Sequence, residues 1–406
     1  MSKSLGLKNQ TTGAARITAF LCVCAACVVL TAGLWPFHAP RNNIHWLQNE
    51  NGIRFDSYGT VLTDTPLTIS NLNRDSFCAL EIWMASGLAR KGTILAVADS
   101  SGARVPFRLR QVGDNLALER EVVDRQGRLV TPWLTIENVF RKGPVLVTLS
   151  TGTEGTSVYV DGALVKTSRS FGLQRNDLAG RIILGTSTIN DSWTGQITGL
   201  AIYPHGLSRD QVASHLANWQ SADRTALVDA ESPDALYLFN ERSGNVIHNE
   251  RDPATSLMIP AHYRVLHNPF LQPPWEHYRD RWSAAHFWPY WLDAAVNVAG
   301  FIPVGFVFMA YLRGVKMYRH PVVSTILIGF ALSLTIEVLQ AFLPTRNSGM
   351  TDLITNTAGT AAGAFLYRFV PLQRLWASAV FAAASFVGGK NQNEAYCSPE
   401  RSSIPA

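Results

Sequence analysis

The chain has 406 residues, of which 47% are hydrophobic and 16% are charged. Single cores usually stop growing near about 250 residues, so this length predicts at least two folding units. Such a composition excludes an intrinsically disordered chain. The net charge of +5 does not indicate nucleic-acid binding, because the Lys and Arg residues are dispersed and several flank long apolar runs. The composition is that of a membrane protein with a water-soluble domain.

The first apolar run covers residues 15–35. Lys3 and Lys8 precede it, and Arg16 lies at its beginning. A cleaved secretory signal usually has an apolar core of about 7–15 residues followed by a small-x-small site. This run is longer and no clear site follows it, so we interpret it as an uncleaved membrane anchor. Residues 1–14 are then a cytoplasmic N-terminus.

Residues 44–220 consist of short alternating segments separated by Gly, Asn and Asp, which is typical of an all-β domain. Asp161-Gly162 between two β-rich runs predicts a two-residue hairpin turn. Ser208 and Gln211 form a capping box that predicts a short helix after the strands. Only Cys78 of the five cysteines lies in this long soluble region, so no disulfide is expected within the domain. The predicted strands are residues 77–84, 145–150, 181–185 and 195–203, together with the two strands of the hairpin at 157–166.

Four of these pieces together resemble the laminin-G-like, concanavalin A-like jelly-roll family. They are FCALEIW at 77–83, VYVDG at 158–162, ILG at 183–185 and GQITGLAIY at 195–203. The resemblance implies a two-sheet sandwich of a kind that often binds sugars or proteins, frequently with calcium. No acidic loop cluster is dense enough to assign a Ca²⁺ site, and Asp161 and Asp191 fit turn positions as well as ligand positions. We therefore assign no metal or other cofactor.

Residues 221–285 read as a connector. The stretch 236–244 predicts a further strand and turn that return to the sandwich. The aromatic residues of 275–282 and 286–291 are typical of a chain that lies at the lipid headgroup level before it enters the bilayer. Stacking on a sugar is the alternative use of these rings.

Residues 286–389 predict three or four membrane helices, because crossing a bilayer takes about 20 apolar residues. The runs are 294–312, 322–343 and 353–370, with a borderline stretch at 375–388 and a polar tail at 390–406. Basic residues mark the cytoplasmic side of membrane proteins. They precede the first run, lie between 312 and 322, and follow the 353–370 run. We therefore expect a multi-pass protein of the cell membrane with its sandwich on the extracytoplasmic side.

Polar residues repeat at helical spacing within these runs, and ionisable groups in a bilayer normally face a bundle interior or a watery cavity. One reading is that they hydrogen-bond to each other and lock the helices; the other is a polar pocket that opens to the outside. Small residues at Gly329/Ser333 and Gly359/Gly363 would allow close helix approach in either case. The residues of the candidate binding pocket are Asp293, Asn297, Glu337, Gln340, Arg346, Asp352 and Asn356.

The same polar residues carry a second resemblance. The spacings Asp293-x3-Asn297, Glu337-x2-Gln340 and Asp352-x3-Asn356, with the glycines and Arg346 between them, look like the VanZ-like membrane family. That family is associated with the bacterial envelope and, in its namesake, with tolerance to the glycopeptide teicoplanin. No reaction is established for it. This chain differs by carrying the large sandwich between its first run and the signature.

Together these patterns predict a cell-envelope protein whose external domain binds a glycan or surface polymer and whose membrane domain holds an outward-facing polar pocket. The expected partners are membrane lipid and a glycan or cell-wall polymer, without nucleic acid. One alternative is an enzyme that acts on a lipid-linked envelope precursor, with Glu337 and Asp352 as acid–base groups. Another is an adhesive scaffold in which the helices only anchor. No catalytic residue is assigned in the leading interpretation, because no nucleophile or metal set accompanies the carboxylates.

Overall fold

The computed structural model describes residues 2–68, 77–100, 102, 104–141, 143–187, 191–221, 223–266, 270–274, 284–315 and 319–395. The chain divides into two compact units. Ala39–Asn268 form one, and Met1–His38 with Pro269–Ala406 form the other. The aromatic stretch 275–282 and residue Lys316 of the basic loop lie outside the described residues.

The first unit is a sandwich of two antiparallel sheets, as the sequence predicts. The first sheet has the strand order β1 (Ile44–Trp46), β2 (Ile53–Phe55), β15 (Gly195–Tyr203), β4 (Ala79–Ser86), β11 (Val145–Gly152), β12 (Gly155–Val160) and β13 (Ala163–Ser168), and β16 (Ala235–Tyr237) also pairs with β15. The second sheet has the order β10 (Trp133–Ile136), β7 (Asn115–Arg120), β6 (Phe107–Val112), β5 (Lys91–Ala98), β14 (Arg181–Leu184), β3 (Val61–Thr63), β18 (Leu257–Met258) and β17 (Val246–Ile247). A separate short ribbon pairs β8 (Val122–Val123) with β9 (Leu129–Val130).

Local sequence signals produce the turns and caps where they were expected. Asp161 and Gly162 both have positive φ, 47° and 76°, and they connect β12 to β13. Ser208 caps α2 (Arg209–Gln220) by accepting the Gln211 N–H, while the Gln211 side chain accepts from Ser208. A short helix, α3 (Ala226–Asp229), follows. At the start of the predicted return strand, β16 pairs with β15.

Alternate residues of the facing strands fill the main core between the two sheets. Leu80, Ile82 and Met84 of β4 point into it, together with Phe107 from β6. Trp193 is fully buried, and its indole N–H donates to Gln111 Oε1 at 2.7 Å, which satisfies both polar groups. The domain is therefore stabilised by a large apolar core, as expected for a unit without a disulfide.

Cys78 is the only described cysteine in the sandwich, and it is buried. Burial raises the pKa of its thiol to about 12. The neutral thiol packs as a small apolar group and is not reactive.

The opposite face of the first sheet carries a second, smaller core that α2 covers. At its centre Glu81 of β4 is fully buried. Its Oε2 lies 3.0 Å from Tyr203 Oη, 2.9 Å from Trp219 Nε1 and 3.1 Å from His215 Nδ1. Its Oε1 accepts from the Thr148 hydroxyl at 3.1 Å. One carboxylate thus joins three strands to the helix.

The second unit contains five helices. They are α1 (Ser2–Leu34), α4 (Ala284–Val315), α5 (Pro321–Gln340), α6 (Met350–Leu366) and α7 (Val370–Ala395). Among the described residues, Gly13–Leu34, Tyr290–Val315 and Pro321–Gln340 are long and apolar enough to cross a membrane. α6 has 17 residues and is therefore about 26 Å long. The borderline stretch at 375–388 lies within α7.

Glycines let α4 and α6 pack with their backbones in contact, and they let the Thr360 side chain of α6 pack against the backbone of α5. A Cβ on Gly363 of α6 would lie 2.0 Å from the carbonyl oxygen of Ile302, and one on Gly359 would lie 2.2 Å from that of Val298. A Cβ on Gly329 of α5 would lie 2.2 Å from the Thr360 hydroxyl. Gly329, Gly359 and Gly363, which the sequence predicts at helix contacts, are therefore the residues that allow this close packing.

Replacement of Glu81 tests the buried hydrogen-bond centre. Glu81→Ala leaves four donors without their acceptor, so we expect the free energy of unfolding to fall by about 3–5 kcal/mol. Glu81→Gln keeps one carbonyl acceptor and gives Thr148 a donor. Its free energy of unfolding should therefore fall by only about 1 kcal/mol. Urea unfolding of the full-length protein in detergent, followed by near-UV circular dichroism, measures both. Glu154→Ala, on an exposed hairpin, is the control; equal losses for all three variants would contradict the assignment.

Replacement of Gly363 tests the helix packing. Gly363→Ala forces the Ile302 backbone away, and overpacking of this kind costs about 1–3 kcal/mol. We expect a melting temperature several degrees below that of the wild type, measured as the fraction still monodisperse after heating in detergent. Gly300→Ala on α4 is the matched control, because no atom lies within 4 Å of its added Cβ. A Gly363→Ala protein as stable as the Gly300→Ala protein would refute the close contact.

Candidate functional site

Helices α4 and α6 place an amide and a carboxylate against each other. Asn297 Nδ2 donates to Asp352 Oδ1 at 3.0 Å, and both side chains are half-buried. Asp293 lies one turn before Asn297 on the same face of α4 and is exposed. The structure therefore brings these three predicted residues together at one end of the helix pair.

Glu337 joins α5 to the beginning of α6. Its side chain is 1% exposed, and its Oε2 accepts the Gly349 N–H at 2.7 Å. Gly349 is the N-cap residue of α6, so the carboxylate lies at the positive end of that helix dipole. This placement compensates for the burial of a charged group, which would otherwise be strongly unfavourable.

The turn before α6 is held by a short piece of the connector. Ser348 is fully buried; its hydroxyl accepts from Leu271 N at 3.2 Å and its carbonyl accepts from Gln272 N at 2.9 Å. Met350 N in turn donates to Gln272 O at 3.0 Å. The backbone on both sides of Gly349 is thus fixed, which keeps its N–H directed at Glu337.

Asn356 lies one turn deeper on α6 than Asp352. Its Nδ2 donates to the Ser333 hydroxyl of α5 at 3.0 Å, and the two residues are 5% and 0% exposed. Its Oδ1 is buried and has no hydrogen-bond partner among the described residues. A buried acceptor without a partner is unfavourable by about 1–3 kcal/mol, so this oxygen can take a donor from a bound group or water.

The two remaining predicted residues point elsewhere. Gln340 Nε2 donates to Gly33 O at 2.8 Å, and Arg346 Nε donates to Trp35 O at 2.9 Å. These bonds hold the C-terminal end of α1 to the last residue of α5 and to the turn that follows it. From the sequence, Arg346 is predicted to belong to the same pocket as the carboxylates. Its side chain instead bonds to Trp35 O after α1, because a main-chain carbonyl at the end of a helix lacks an intrahelical donor.

Five of the seven predicted residues thus form one layer across α4, α5 and α6, which we call the polar layer: Asp293, Asn297, Glu337, Asp352 and Asn356. Most of its hydrogen bonds run between helices or to the Gly349 backbone. Within the described part of the chain, no group of three His, Cys, Asp or Glu side chains is arranged to hold a metal ion. The layer can bind polar groups and hold protons, and it also locks the three helices together.

The sandwich unit has its own cleft, which the sequence analysis did not identify. Its volume is about 710 Å³, and it lies at one end of the first sheet. It is lined by residues 54–57, by 85–89 at the end of β4, by Pro144 before β11, and by 194–196 at the start of β15. No local motif marks it, since its walls come from four separate parts of the chain.

Polar and apolar groups alternate around this cleft. Arg54 Nε lies 3.5 Å from Asp56 Oδ2, and both side chains are about half exposed. Ser57 and Gln196 add a hydroxyl and an amide to the lining. Leu88 is 100% exposed at the rim. A concave surface with a few polar groups and an apolar edge is the usual form of a small-ligand site.

The two aspartates left open as turn formers or calcium ligands both have other partners. Asp161 occupies the hairpin turn and its Oδ1 accepts the Leu146 N–H at 2.9 Å. Asp191 Oδ1 pairs with Arg110 at 3.0 Å, and its Oδ2 accepts from the Ser187 hydroxyl at 2.8 Å. Both carboxylates therefore bond to other groups of the sandwich domain.

Comparison with protein families assigns both units. Residues 56–213 match the model of the concanavalin A-like lectin/glucanases superfamily, and residues 236–371 match the VanZ/LLP1 model. Comparison with curated protein sequences gives no match.

Solved structures also resemble part of the chain. The receptor binding domain of botulinum neurotoxin D is 14% identical over 43% of this chain and 47% of that one, with a TM-score of 0.31. The ligand binding domain of serotype D in complex with N-acetylneuraminic acid is 14% identical over 44% and 45%, with a TM-score of 0.32. The native heptameric SAP-like pentraxin from Limulus polyphemus is 15% identical over 43% and 81%, with a TM-score of 0.31.

This chain therefore spans less than half the length of the neurotoxin domains. At TM-scores near 0.3 the likeness carries no information on ligands. The first match lies within the sandwich unit, whereas the second begins in the last strands of that unit and continues through α4, α5 and α6. The chain is a membrane protein that joins a concanavalin A-like sandwich of the laminin-G type to a VanZ-like helical domain.

Proposed function

We propose that this is a cell-envelope protein whose concanavalin A-like domain lies on the extracytoplasmic side and binds a glycan or surface polymer. The observation that carries the proposal is the cleft at the end of the first sheet. The superfamily that this domain matches supports it, since the matching model is that of lectins and glucanases.

The chemistry of the cleft suits a sugar. A sugar ring presents hydroxyls that donate and accept hydrogen bonds, and it has faces of C–H groups. Arg54 supplies donors, Asp56 supplies acceptors, and Gln196 supplies both. Leu88 at the rim offers an apolar surface to a ring face. Because the cleft is open, it accommodates the end or an exposed loop of a polymer.

The distribution of basic residues supports the proposed sidedness. Positive residues concentrate on the cytoplasmic side of membrane helices. The basic residues Lys3, Lys8 and Arg16 lie in the N-terminal half of α1, and the sandwich follows the opposite, uncharged end of this helix. Five more basic residues lie in or beside the α4–α5 turn and after α6: Arg313, Lys316, Arg319, Arg368 and Arg374. The α5–α6 turn, on the proposed external side, carries a single one, Arg346.

For the membrane domain we propose that the polar layer holds a polar or amphiphilic envelope group near the external face. The Oδ1 atom of Asn356 supports this role, because it is a buried acceptor that helix packing does not use. The VanZ-like signature suggests that this role is linked to tolerance of glycopeptides such as teicoplanin. An acid–base role for Glu337 is less favoured, since its carboxylate is 1% exposed and caps α6.

Glycan binding is tested with detergent-solubilised full-length protein on a glycan array. Gln196→Ala and Asp56→Asn remove single polar groups from the cleft, so we expect the affinity for the bound glycan to fall about 3–10-fold. Glu154→Ala is the matched control: it lies beyond the far end of the 8-residue strand β11, about 26 Å from Pro144. Absence of glycan binding, or equal binding by all variants, would refute the proposal.

The polar layer is tested in cells with Glu337→Gln and Asp352→Asn. Both keep an acceptor for their partners, Gly349 N and Asn297 Nδ2, and therefore the fold, but remove the negative charge. We expect increased sensitivity to teicoplanin at unchanged protein abundance. Thr335→Val, at an exposed position on α5, is the control, since it loses only a bond within its own helix. Wild-type sensitivity in both charge variants would argue against a functional layer.

A further inference from the structure

A groove runs along the exposed face of α1 at its C-terminal end. Its volume is about 590 Å³. Its α1 residues follow helical spacing on one face, which is the face opposite to that packed against α4 and α5. From Val28 to Trp35 the groove extends about 10 Å along the helix. The residues that line it are Cys27, Val28, Thr31, Ala32, Trp35 and Arg346.

Arg346 is the one charged residue of this groove, and its position is fixed. Its Nε and one terminal nitrogen both donate to the carbonyl oxygen of Trp35. A guanidinium has five N–H donors, so three remain for other acceptors. Among the described carboxylates none lies within ion-pair distance of Arg346, although it is only partly exposed. Arg346 therefore contributes an unneutralised positive charge and three further N–H donors to the lining of the groove.

The level of Arg346 in the bundle matches that of a lipid headgroup. It lies in the turn between α5 and α6, and its anchor Trp35 directly follows the last residue of α1. The Trp35 ring is 63% exposed, and exposed Trp residues are enriched at the membrane–water interface. The apolar residues of the groove thus lie at the depth of the lipid hydrocarbon chains, and the Arg346 guanidinium lies at the depth of the lipid headgroups.

We propose that this groove binds a lipid with a phosphate group in an anionic headgroup. The phosphate oxygens accept the free N–H groups of Arg346, and one hydrocarbon chain lies along Cys27, Val28 and Thr31. Guanidinium and phosphate form charge-assisted, often bidentate hydrogen bonds, which explains why a fixed Arg suits this position. The proposal is independent of both the polar layer and the sandwich cleft, because none of their residues lines the groove.

The test is native mass spectrometry of the full-length protein with short-chain phosphatidylglycerol, phosphatidylcholine or inorganic phosphate. We expect the wild type to retain phosphatidylglycerol in preference to phosphatidylcholine, and inorganic phosphate to leave that retention unchanged. Arg346→Gln keeps a donor for Trp35 O but loses the charge, so its affinity for phosphatidylglycerol should fall about tenfold or more. Arg346→Lys should retain part of the affinity.

Two further variants make the outcome decisive. Ala32→Trp fills the groove at an exposed position without removing the cation, so it should also weaken lipid retention. Arg374→Gln removes a charge from an exposed arginine outside the groove and should retain phosphatidylglycerol as the wild type does. Equal retention by the wild type, Arg346→Gln and Ala32→Trp would overturn the proposal. Displacement of the lipid by inorganic phosphate would instead assign a site for free anions and would overturn it as well.

Discussion

The need to satisfy polar groups that leave water shapes both units of this protein. In the membrane domain it appears most clearly at Glu337, whose carboxylate is buried yet bonded to the first turn of α6. A buried carboxylate is strongly unfavourable alone, but at a helix N-terminus it neutralises a partial positive charge and takes up an N–H. The pair between Asn297 and Asp352 follows the same rule. The order of the helices is therefore fixed by polar contacts as well as by packing.

Close backbone approach makes these polar contacts possible. Hydrocarbon chains of lipid compete with apolar side chains, so helices in a membrane gain little from burying Leu or Val against each other. Gly359 and Gly363 bring α6 onto the backbone of α4, and Gly329 brings α5 onto Thr360. At that distance, short side chains such as Asn356 and Ser333 reach each other directly. The glycines and the polar layer are thus two parts of one packing arrangement.

The sandwich also satisfies its buried polar groups with hydrogen bonds, and it does so inside a larger apolar core. Glu81 lies beneath α2 and accepts four hydrogen bonds, and Gln111 satisfies the indole of Trp193 inside the main core. Burial and the neighbouring Glu81 carboxylate raise the pKa of Tyr203, so the phenol remains a donor throughout the physiological pH range. These groups hold the sheets and helix rigidly, and the cleft is therefore built on fixed strand ends.

The sequence by itself determined the elements whose cause is local. The Asp161-Gly162 turn, the Ser208 capping box, the strand at 195–203 and the apolar spans follow from φ preferences, capping and residue periodicity, which act over a few residues. Helical spacing also placed Asn297 and Asp352 correctly on the faces of their helices. Only the tertiary structure decided which groups meet. Arg346 bonds to Trp35 and not to the carboxylates, and Glu81 lies within hydrogen-bond distance of four donors. Residues 54–57 and 194–196 line the same cleft. Those contacts join residues far apart in the chain, and their geometry depends on how whole sheets and helices pack, which no local pattern encodes.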